Sequence, residues 1–407
     1  MPSPRHARQR LFVSVRRDQR WTAWLEDERV VEFHREREGE VGPTGNIYRG
    51  RIAHVDRGLG AAFVDIGAKE AAFLPLRNLD VPPVEGARAL VQIEREGQAG
   101  KGPRITTRIS LTGVCLILLP GRRGISVSKR IVDKDERSRL SAVVKTIAEA
   151  DEGFMVRTAA SGAPEQGLRA EAARLRRSLQ DLLGATARSP ALLYQQPPVD
   201  LRLLRDHGSG FDEVLYDQRN AAAAAERWCA VALPRSASRI VFHRSTEWVP
   251  NPAEILDQVE DALQPRVDLS GGGSLVIEST EAMTVIDVNA ASAGNAQADV
   301  ANERLLLRTN LAAADEIARQ IRLRNIGGIV VIDFIDLAEA AHRRRVVERL
   351  RAATADDSAP VWVGAMSRLG LVELTRKRRG STLAQMMTRP CSSCGGTGHV
   401  RHSIDRA

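Results

Sequence analysis

Two aspartates in the last third of the chain occupy positions where acidic side chains are rare. Asp287 lies within the apolar run 284–289, and Asp333 lies within the apolar run 332–336, which also contains Asp336. A carboxylate in an apolar strand is unfavourable to bury unless it is paired or holds a cation. Two such aspartates on adjacent strands would form an oxygen site that suits Mg²⁺. The alternative is that they cap the helices that follow, which fits Asp336 better than Asp333.

Two phenylalanines lie in a glycine-punctuated, alternating segment, residues 46–107, of the kind that forms small β-barrels. Phe63 follows two alanines in Ala-Ala-Phe-Val-Asp, and Phe73 does so in Ala-Ala-Phe-Leu-Pro. Barrels of the OB type bind single strands by stacking bases on exposed aromatic rings in a basic groove. The cations that could line such a groove are Arg49, Arg51, Arg57, Lys69 and Arg77. The alternative is that both phenylalanines belong to the barrel core.

A Cys-x-x-Cys motif near the end of the sequence, Cys391 and Cys394, is followed by glycines and is typical of a zinc-knuckle half-site. A tetrahedral structural zinc needs four ligands, and one such motif supplies two. His399 and His402 could complete the site within one chain, although they lie closer than the usual finger spacing. Zinc shared by two chains across a two-fold axis satisfies the geometry better. A redox pair is disfavoured because no thioredoxin-like βαβ pattern precedes the motif, and an unligated tail is the remaining alternative.

The elements that must position these residues are predicted from periodicity. In the last third, strand-length apolar runs alternate with helical patterns, which indicates an α/β layer. The runs are residues 274–278, 283–288, 329–335 and 361–366, and the helical patterns are residues 301–324 and 337–353. Earlier in the chain, a predicted strand at residues 154–158 ends in Arg157 and Thr158, a suitable grip for a phosphate monoester. A proline-rich break at residues 190–198 is a plausible domain boundary.

Composition bounds the class of protein. A chain of 407 residues with 43% hydrophobic and 27% charged residues can form two to four domains with sizeable cores. The formal charge of +8, carried mostly by Arg, permits a nucleic-acid partner without requiring one. No apolar stretch is long enough for a transmembrane helix, no secretory signal is recognisable, and four cysteines do not make a disulfide scaffold. We therefore expect a cytoplasmic protein with no membrane partner.

The motifs taken together resemble the ribonuclease E/G family of bacterial endoribonucleases, from about Arg10 to Gly398. The most specific stretch runs from Thr309-Asn310-Leu311 through Ala-Ala-Asp-Glu-Ile-Ala-Arg-Gln to Gly-Gly-Ile-Val-Val-Ile-Asp-Phe-Ile-Asp, which ends at Asp336. Asn46-Ile-Tyr-Arg-Gly and Ala62-Phe-Val-Asp are similar to the S1-type barrel of that family.

The resemblance implies an α/β multidomain fold in which an S1-type OB barrel is inserted in an RNase H-like domain. A 5′-sensor domain, a DNase I-like catalytic α/β domain and a C-terminal zinc link follow. The implied boundaries are residues 1–45 and 201–270 for the RNase H-like domain, 46–107 for the barrel, 108–200 for the 5′ sensor, 271–389 for the catalytic domain and 390–400 for the zinc link.

The resemblance also implies roles for individual residues. Catalytic Mg²⁺ would be bound by Asp287 and Asp333, with Asn289 in support. RNA would be held by Phe63, Phe73 and Lys101. A 5′-monophosphate would be sensed by Gly113, Ile117, Arg157 and Thr158, with Lys129 or Arg130 nearby. Zn²⁺ shared between two protomers would be bound by Cys391 and Cys394.

The implied activity is Mg²⁺-dependent hydrolysis of single-stranded RNA to 5′-phosphate and 3′-hydroxyl ends, in the processing of ribosomal and transfer RNA or in messenger decay. The alternatives are a non-catalytic, zinc-linked RNA-binding protein and a DNA nuclease or phosphoesterase with the same metal site. Pro360 stands near a basic position of the family's 5′ sensor, and residues 290–295 are less basic and longer than the family pattern. Because the sequence ends at Ala407, we expect neither the family's small C-terminal domain nor a degradosome scaffold, and hence a zinc-linked homodimer.

Overall fold

The strands and helices of the protein are defined by a computed structural model. It describes residues 7–17, 19–37, 44–79, 84–97, 101–207, 210–233, 239–290, 299–389 and 391–394. The strands are β1 (Gln9–Arg16), β2 (Gln19–Glu26), β3 (Arg29–Arg37), β4 (Ile47–Asp56), β5 (Ala61–Asp65), β6 (Ala72–Pro75), β7 (Arg88–Arg95), β8 (Arg104–Thr106), β9 (Leu111–Thr112), β10 (Leu116–Pro120), β11 (Gly124–Val127), β12 (Glu152–Val156), β13 (Ala191–Tyr194), β14 (Glu213–Tyr216), β15 (Ile240–Phe242), β16 (Arg266–Asp268), β17 (Ser274–Ser279), β18 (Met283–Asn289), β19 (Gly328–Asp333), β20 (Val361–Met366) and β21 (Leu371–Arg376). The helices are α1 (Lys134–Ile147), α2 (Glu165–Gly184), α3 (Val199–His207), α4 (Arg219–Ala232), α5 (Pro252–Asp261), α6 (Asp299–Leu323), α7 (Ala340–Ala353) and α8 (Leu383–Met387).

The chain divides into two units. Unit 1 contains residues 1–30 and 34–255, and unit 2 contains residues 31–33 and 256–407. The first sheet of unit 1 has the strand order β15-β14-β1-β2-β3, in which β1 and β2 are antiparallel while β14 and β15 run parallel to β1. The burial of Leu11, Phe12 and Val13 on β1 shows that this strand is covered on both faces, as central strands are.

A closed five-stranded barrel forms the second element of unit 1. The ten-residue β4 pairs with β5 on one side and with β7 on the other, and the order β4-β5-β6-β8-β7 returns to β4. Alternation places Ile52, Val64, Leu74, Val91 and Ile105 inside the barrel. β13 adds to the outside of β4. The predicted barrel segment therefore folds as a closed barrel, as an S1-like OB fold requires.

A small mixed sheet with the order β11-β12-β10-β9 packs against α1 and α2. α1 begins at its N-cap Asp133, whose carboxylate accepts from the backbone N–H groups of Asp135 and Glu136. Apolar residues at helical spacing, such as Leu140 and Val144, bury one face of α1 against this sheet.

Unit 2 is built on a six-stranded sheet with the order β16-β17-β18-β19-β21-β20. β18 and β19 are parallel, joined through α6, and the other pairs are antiparallel. Residues Ile286, Val330 and Ile332 face α6 and α7 and form the core with Ile317 and Leu350, among others. On β18 and β19 the alternate residues stay largely exposed, so the opposite face of the sheet is open. The predicted α/β layer is confirmed.

Candidate functional site

The two aspartates singled out by the sequence are direct neighbours on the open face of the unit 2 sheet. Asp287 of β18 is in register with Asp333, the last residue of β19. Both side chains are exposed, because each alternates with buried residues of its strand. Cα atoms of adjacent strands lie about 4.7–4.9 Å apart, so the two carboxylates project side by side. Asn289 lies on the same face, and its Nδ2 donates to Asp287 Oδ2 at 2.7 Å.

The charge of this carboxylate pair is not balanced by any cation of the described residues. Among the described residues, no Lys or Arg nitrogen lies within 4.0 Å of Asp287 or Asp333. The adjacent outward positions are the apolar side chains of Val285 and Val331, which are also in register. Two unpaired like charges beside an apolar surface repel one another, and a divalent cation between them removes that repulsion. The donor set of two carboxylates and an amide oxygen fits a hard cation such as Mg²⁺.

A buried asparagine of α6 holds the chain where it leaves the site. Asn310 Nδ2 donates to Ile335 O at 2.8 Å, and its Oδ1 accepts from Ile335 N at 3.1 Å. Asn310 is fully buried. This two-point contact fixes the backbone two residues after Asp333. The sequence showed Asn310 only as part of a family pattern, because a contact across 25 residues leaves no local signal.

Asp336 does not cap the helix that follows it, so the interpretation of this aspartate as a helix cap is wrong. α7 begins at Ala340 with Glu339 at the N-cap position. The Glu339 N–H donates to Glu303 Oε1 of α6 at 2.9 Å, and His342 Nδ1 lies 3.0 Å from the same oxygen. The ligand atoms of Glu303, Glu339 and His342 lie within 4.8 Å of one another, a spacing that could hold a metal ion. Sequence reasoning missed this group because Glu303 is distant along the chain.

The barrel carries its two predicted aromatic residues on the outside. Phe63 of β5 and Phe73 of β6 are in register, and their ring centroids lie 6.1 Å apart in an edge-to-face arrangement. Both are half-buried, whereas the flanking Ala62, Val64 and Leu74 are fully buried. The alternative that both rings belong to the barrel core is therefore wrong.

Lys101 is an exposed residue at the same edge of the barrel as Phe73. The Phe73 N–H donates to Pro103 O at 2.8 Å, which ties the segment after Lys101 to β6. A Cβ on Gly102 would lie 1.9 Å from Ala71 O, so only glycine permits this approach. The structure thus brings the predicted lysine to the strand that bears one of the predicted rings.

The Arg157 side chain of the predicted phosphate pocket is already held by three partners. Its Nη1 donates to Gly113 O at 2.7 Å and to Val114 O at 3.1 Å, and its Nη2 donates to Asp206 Oδ1 at 2.6 Å. Burial raises the pKa of Asp206, but the Arg205 and Arg157 guanidiniums outweigh burial, so the net shift of this pKa is downward. A phosphate bound at Arg157 would share it with an ionised carboxylate.

The other residues of this predicted pocket lie near Arg157. Thr158 follows it in the chain, and the Ser128 hydroxyl connects Thr158 with Arg130 through hydrogen bonds. Thr158 Oγ1 lies 2.9 Å from Ser128 Oγ, and the Arg130 N–H donates to that same hydroxyl at 3.3 Å. Ile117 of β10 is in register with Thr112, the residue before Gly113. A Cβ on Gly113 would lie 1.9 Å from a Glu171 carboxylate oxygen, which explains the glycine.

The described part of the Cys-x-x-Cys motif forms a turn that favours the thiolate needed for zinc binding. Cys391 is exposed and Cys394 is partly buried. Hydrogen bonds from the backbone N–H groups of Cys394 and Ser393 to the Cys391 sulfur lower the pKa of Cys391. The thiolate is the form that binds metal, so the motif fits Zn²⁺. His399 and His402 lie outside the described residues.

A helix that crosses a membrane must be long and predominantly apolar. Among the residues that the structure describes, each helix is too short or too polar to cross a bilayer.

The chain is similar in sequence to ribonucleases E and G. The Ribonuclease E/G family model matches residues 110–379. The chain is 34% identical to Ribonuclease G of Escherichia coli (strain K12) over 415 residues, which cover 96% of this chain and 84% of that protein. It is 33% identical to Ribonuclease G of Haemophilus influenzae with the same coverage. It is also 34% identical to Ribonuclease E of Haemophilus influenzae over 413 residues, 96% of this chain but 44% of that protein.

Proposed function

The chain belongs to the ribonuclease E/G family, and from this premise we propose that it is an endoribonuclease that hydrolyses single-stranded RNA at the Asp287–Asp333 pair. The observation that carries the proposal is the register of these two residues on the open face of the unit 2 sheet. An open face admits a long polymer, whereas an enclosed pocket would admit only its ends. The charge of the pair, which no cation in the described part of the chain balances, supports a role in holding a metal ion.

In this proposal the metal-binding residues are Asp287 and Asp333. Mg²⁺ bound there would neutralise charge on the scissile phosphate and lower the pKa of a water molecule. The Asn289 amide holds the Asp287 carboxylate in one orientation through its 2.7 Å hydrogen bond. Asn310 keeps the chain after Asp333 in place. Attack of water on the phosphorus would break the bond between phosphorus and the 3′-oxygen. One product would then carry a 5′-phosphate and the other a 3′-hydroxyl group.

Substrate binding is proposed for the outside of the barrel. The half-exposed rings of Phe63 and Phe73 can stack bases, and the exposed ammonium group of Lys101 can contact phosphate. Stacking is tolerant of sequence, because every base offers a π-face, and it requires unpaired bases. We therefore expect cleavage of single strands with loose sequence preference.

We also propose that 5′-end sensing is weak in this protein. Arg157 would have to bind a 5′-monophosphate while it is paired with Asp206 at 2.6 Å. Thr158 and Arg130 offer a hydroxyl and a cation nearby, and Gly113 and Ile117 would line the pocket. The resemblance to the family also implies a basic residue near position 360, where this sequence has the uncharged Pro360.

The finer domain assignments are part of the same proposal. The order β3-β2-β1-β14-β15 supports an RNase H-like sheet interrupted by the barrel. The sheet around α1 and α2 would be the 5′ sensor, and the unit 2 sheet would be the DNase I-like catalytic domain. The thiolate-stabilising turn at Cys391 supports a Zn²⁺ ion shared by two chains, with two ligands from each.

Cleavage of a short A/U-rich RNA tests the proposal. The wild type and the Asp333→Asn variant are compared with and without Mg²⁺, and Glu373→Gln serves as the control, because it removes one charge from the same face. We expect Mg²⁺-dependent cleavage by the wild type and the control and none by Asp333→Asn. RNA binding without cleavage by the wild type would favour the non-catalytic alternative. Equal cleavage of DNA would favour the nuclease of broader specificity.

The same assay measures end sensing when the RNA carries either a 5′-monophosphate or a 5′-hydroxyl. We expect the two rates to differ by less than about threefold if Arg157 is committed to Asp206. A preference of about tenfold or more for the monophosphate, a difference of about 1.4 kcal/mol in the barrier, would contradict weak sensing.

A further inference from the structure

His54 stands beside the two phenylalanines on the outer surface of the barrel. His54 of β4 is in register with Phe63 of β5. Phe63 is in turn in register with Phe73 of β6, and Phe73 is in register with Arg104 of β8. Four side chains on four neighbouring strands therefore form one row across the barrel. The row contains three rings and ends in a guanidinium.

The outward position of His54 results from a β-bulge. Ile52 pairs with Val64, but the next paired residue on β4 is His54, opposite Phe63, so that Ala53 is the extra residue. Without the bulge, strict alternation after the buried Ile52 would place Ala53 outward and turn His54 toward the core. With it, His54 points outward and Val55 packs against the barrel core. Bulges are known to re-aim a side chain in this way.

The imidazole of His54 is presented as an open aromatic face. Its ring lies almost parallel to that of Phe63, at an angle of 16° and with the centroids 6.4 Å apart. The side chain is 63% exposed. In contrast, Phe63 and Phe73 meet edge to face. The His54 ring thus offers a planar surface to solvent while it is aligned with its neighbour.

A carboxylate holds the imidazole in this orientation. Glu85 Oε1 accepts from the Val55 N–H at 2.9 Å and lies 3.1 Å from His54 Nδ1. The Val55 N–H and the His54 imidazole both hold the pKa of Glu85 below its usual value. His54, Glu85 and the neighbouring Arg57 line a cavity of about 540 Å³ at the His54 end of the row, opposite to Arg104. A ring held in place loses less entropy when it binds a ligand.

We propose that His54 is a third base-stacking residue of the barrel, so that a single strand of RNA bound at Phe63 and Phe73 places a further base on the His54 ring. The inference rests on the proposed binding of RNA by the barrel and deepens it. The ligand is a planar base of any identity, because stacking uses the face of the imidazole, which Glu85 holds in place through Nδ1. Arg57, which lines the same cavity as His54, is placed to contact the phosphate next to the base that stacks on His54.

Binding of a fluorescent ten-nucleotide RNA to full-length variants tests this inference, with no divalent cation added, so that cleavage does not interfere. We expect His54→Ala to raise the Kd about 5- to 150-fold, the range for the loss of one base–aromatic stack. His54→Phe should restore the Kd to within about twofold, because phenylalanine keeps the planar face. A 2-aminopurine probe should lose its quenching in His54→Ala and keep it in His54→Phe.

His243→Ala is the matched control, because His243 also pairs with a glutamate, at 3.5 Å from Glu247, and lies outside the barrel. It should leave the Kd unchanged. If His54→Ala leaves the Kd unchanged while Phe63→Ala raises it, the proposed role of His54 is wrong but RNA binding by the barrel is supported. Equal weakening of His54→Ala and His54→Phe would assign the effect to charge and also overturn stacking. An unchanged Kd in His54→Ala, Phe63→Ala and Phe73→Ala would overturn the proposed binding face itself.

Discussion

Replacing Asp333 by Asn should abolish hydrolysis and at the same time stabilise the sheet that carries it. Asp287 and Asp333 are in register on adjacent strands, and no cation of the described residues balances them. In the metal-free protein the two carboxylates repel each other. Asparagine has the same shape as aspartate and no charge, so the substitution removes the repulsion and little else.

The size of the repulsion follows from the register. Carboxylates about 5 Å apart repel by ~0.8 kcal/mol in bulk water and by ~3 kcal/mol at an effective dielectric constant of 20. Both side chains are exposed, so the smaller value applies more closely. We expect the local free energy of opening to rise by about 1 kcal/mol at low salt, and by less at 1 M salt, where the Debye length is about 3 Å.

Hydrogen exchange measured by mass spectrometry can test this, because it reports local stability in a chain with more than one unit. Peptides that cover β18 and β19 should exchange about fivefold more slowly in Asp333→Asn than in the wild type without Mg²⁺. Added Mg²⁺ should slow exchange in the wild type, because it binds the folded site, and should have no effect on the variant.

The control is again Glu373→Gln, whose side chain stands on the same face in register with Val331. It should change neither the exchange of β18 and β19 nor its response to Mg²⁺. Faster or unchanged exchange in Asp333→Asn, together with a full Mg²⁺ response, would refute both the repulsion and the metal site. The test does not depend on cleavage, so it separates metal binding from catalysis.

Three further outcomes are expected. Cys391→Ser should release zinc and convert the dimer to a monomer; an unchanged sedimentation coefficient with no zinc in elemental analysis would contradict the shared site. Asn310→Ala should destabilise unit 2 by about 1–3 kcal/mol in urea and lower kcat more than RNA affinity, because it leaves the Ile335 N–H and C=O unpaired. Glu136 is held at a pKa of about 2 by hydrogen bonds from Arg139 and a backbone N–H, against a usual 4.5. Its contribution to stability is therefore present above pH 4.5 and lost toward pH 2, and Glu136→Gln should flatten the unfolding curve in that window.

Much of the unit 2 sheet could be predicted because its strands are marked by local sequence patterns. The apolar runs that predicted strands at residues 283–288 and 361–366 correspond to β18 (Met283–Asn289) and β20 (Val361–Met366). An aspartate in such a run marks an outward position, since its neighbours are needed in the core. The pairing of Asp287 with Asp333 followed from two such strands being adjacent. β21 (Leu371–Arg376) was not predicted, because its pattern alternates around charged residues.

The residues that sequence reasoning missed are those whose position depends on contacts far along the chain. Glu303 meets His342 across 39 residues, and Asp206 meets Arg157 across 49. Neither carboxylate differs locally from the many that face solvent. For Arg157 the consequence is chemical, because a cation that seemed available for phosphate is already paired.

His54 illustrates a different reason for a missed residue. The alternation of β4 would turn it inward, and a histidine facing an apolar barrel core would be read as a packing residue. Because the bulge leaves Ala53 unpaired, His54 lies on the outer side of β4 and not on the inner side that strict alternation of this sequence would give it. A one-residue shift moves every later side chain to the other face, so register, and not residue type, decides whether a ring is core or binding surface. Deleting Ala53 would place His54 directly after the buried Ile52, where strict alternation also points it outward opposite Phe63. The deletion variant should therefore remove the bulge and still bind RNA through all three rings, and loss of the His54 stack in this variant would contradict the register argument.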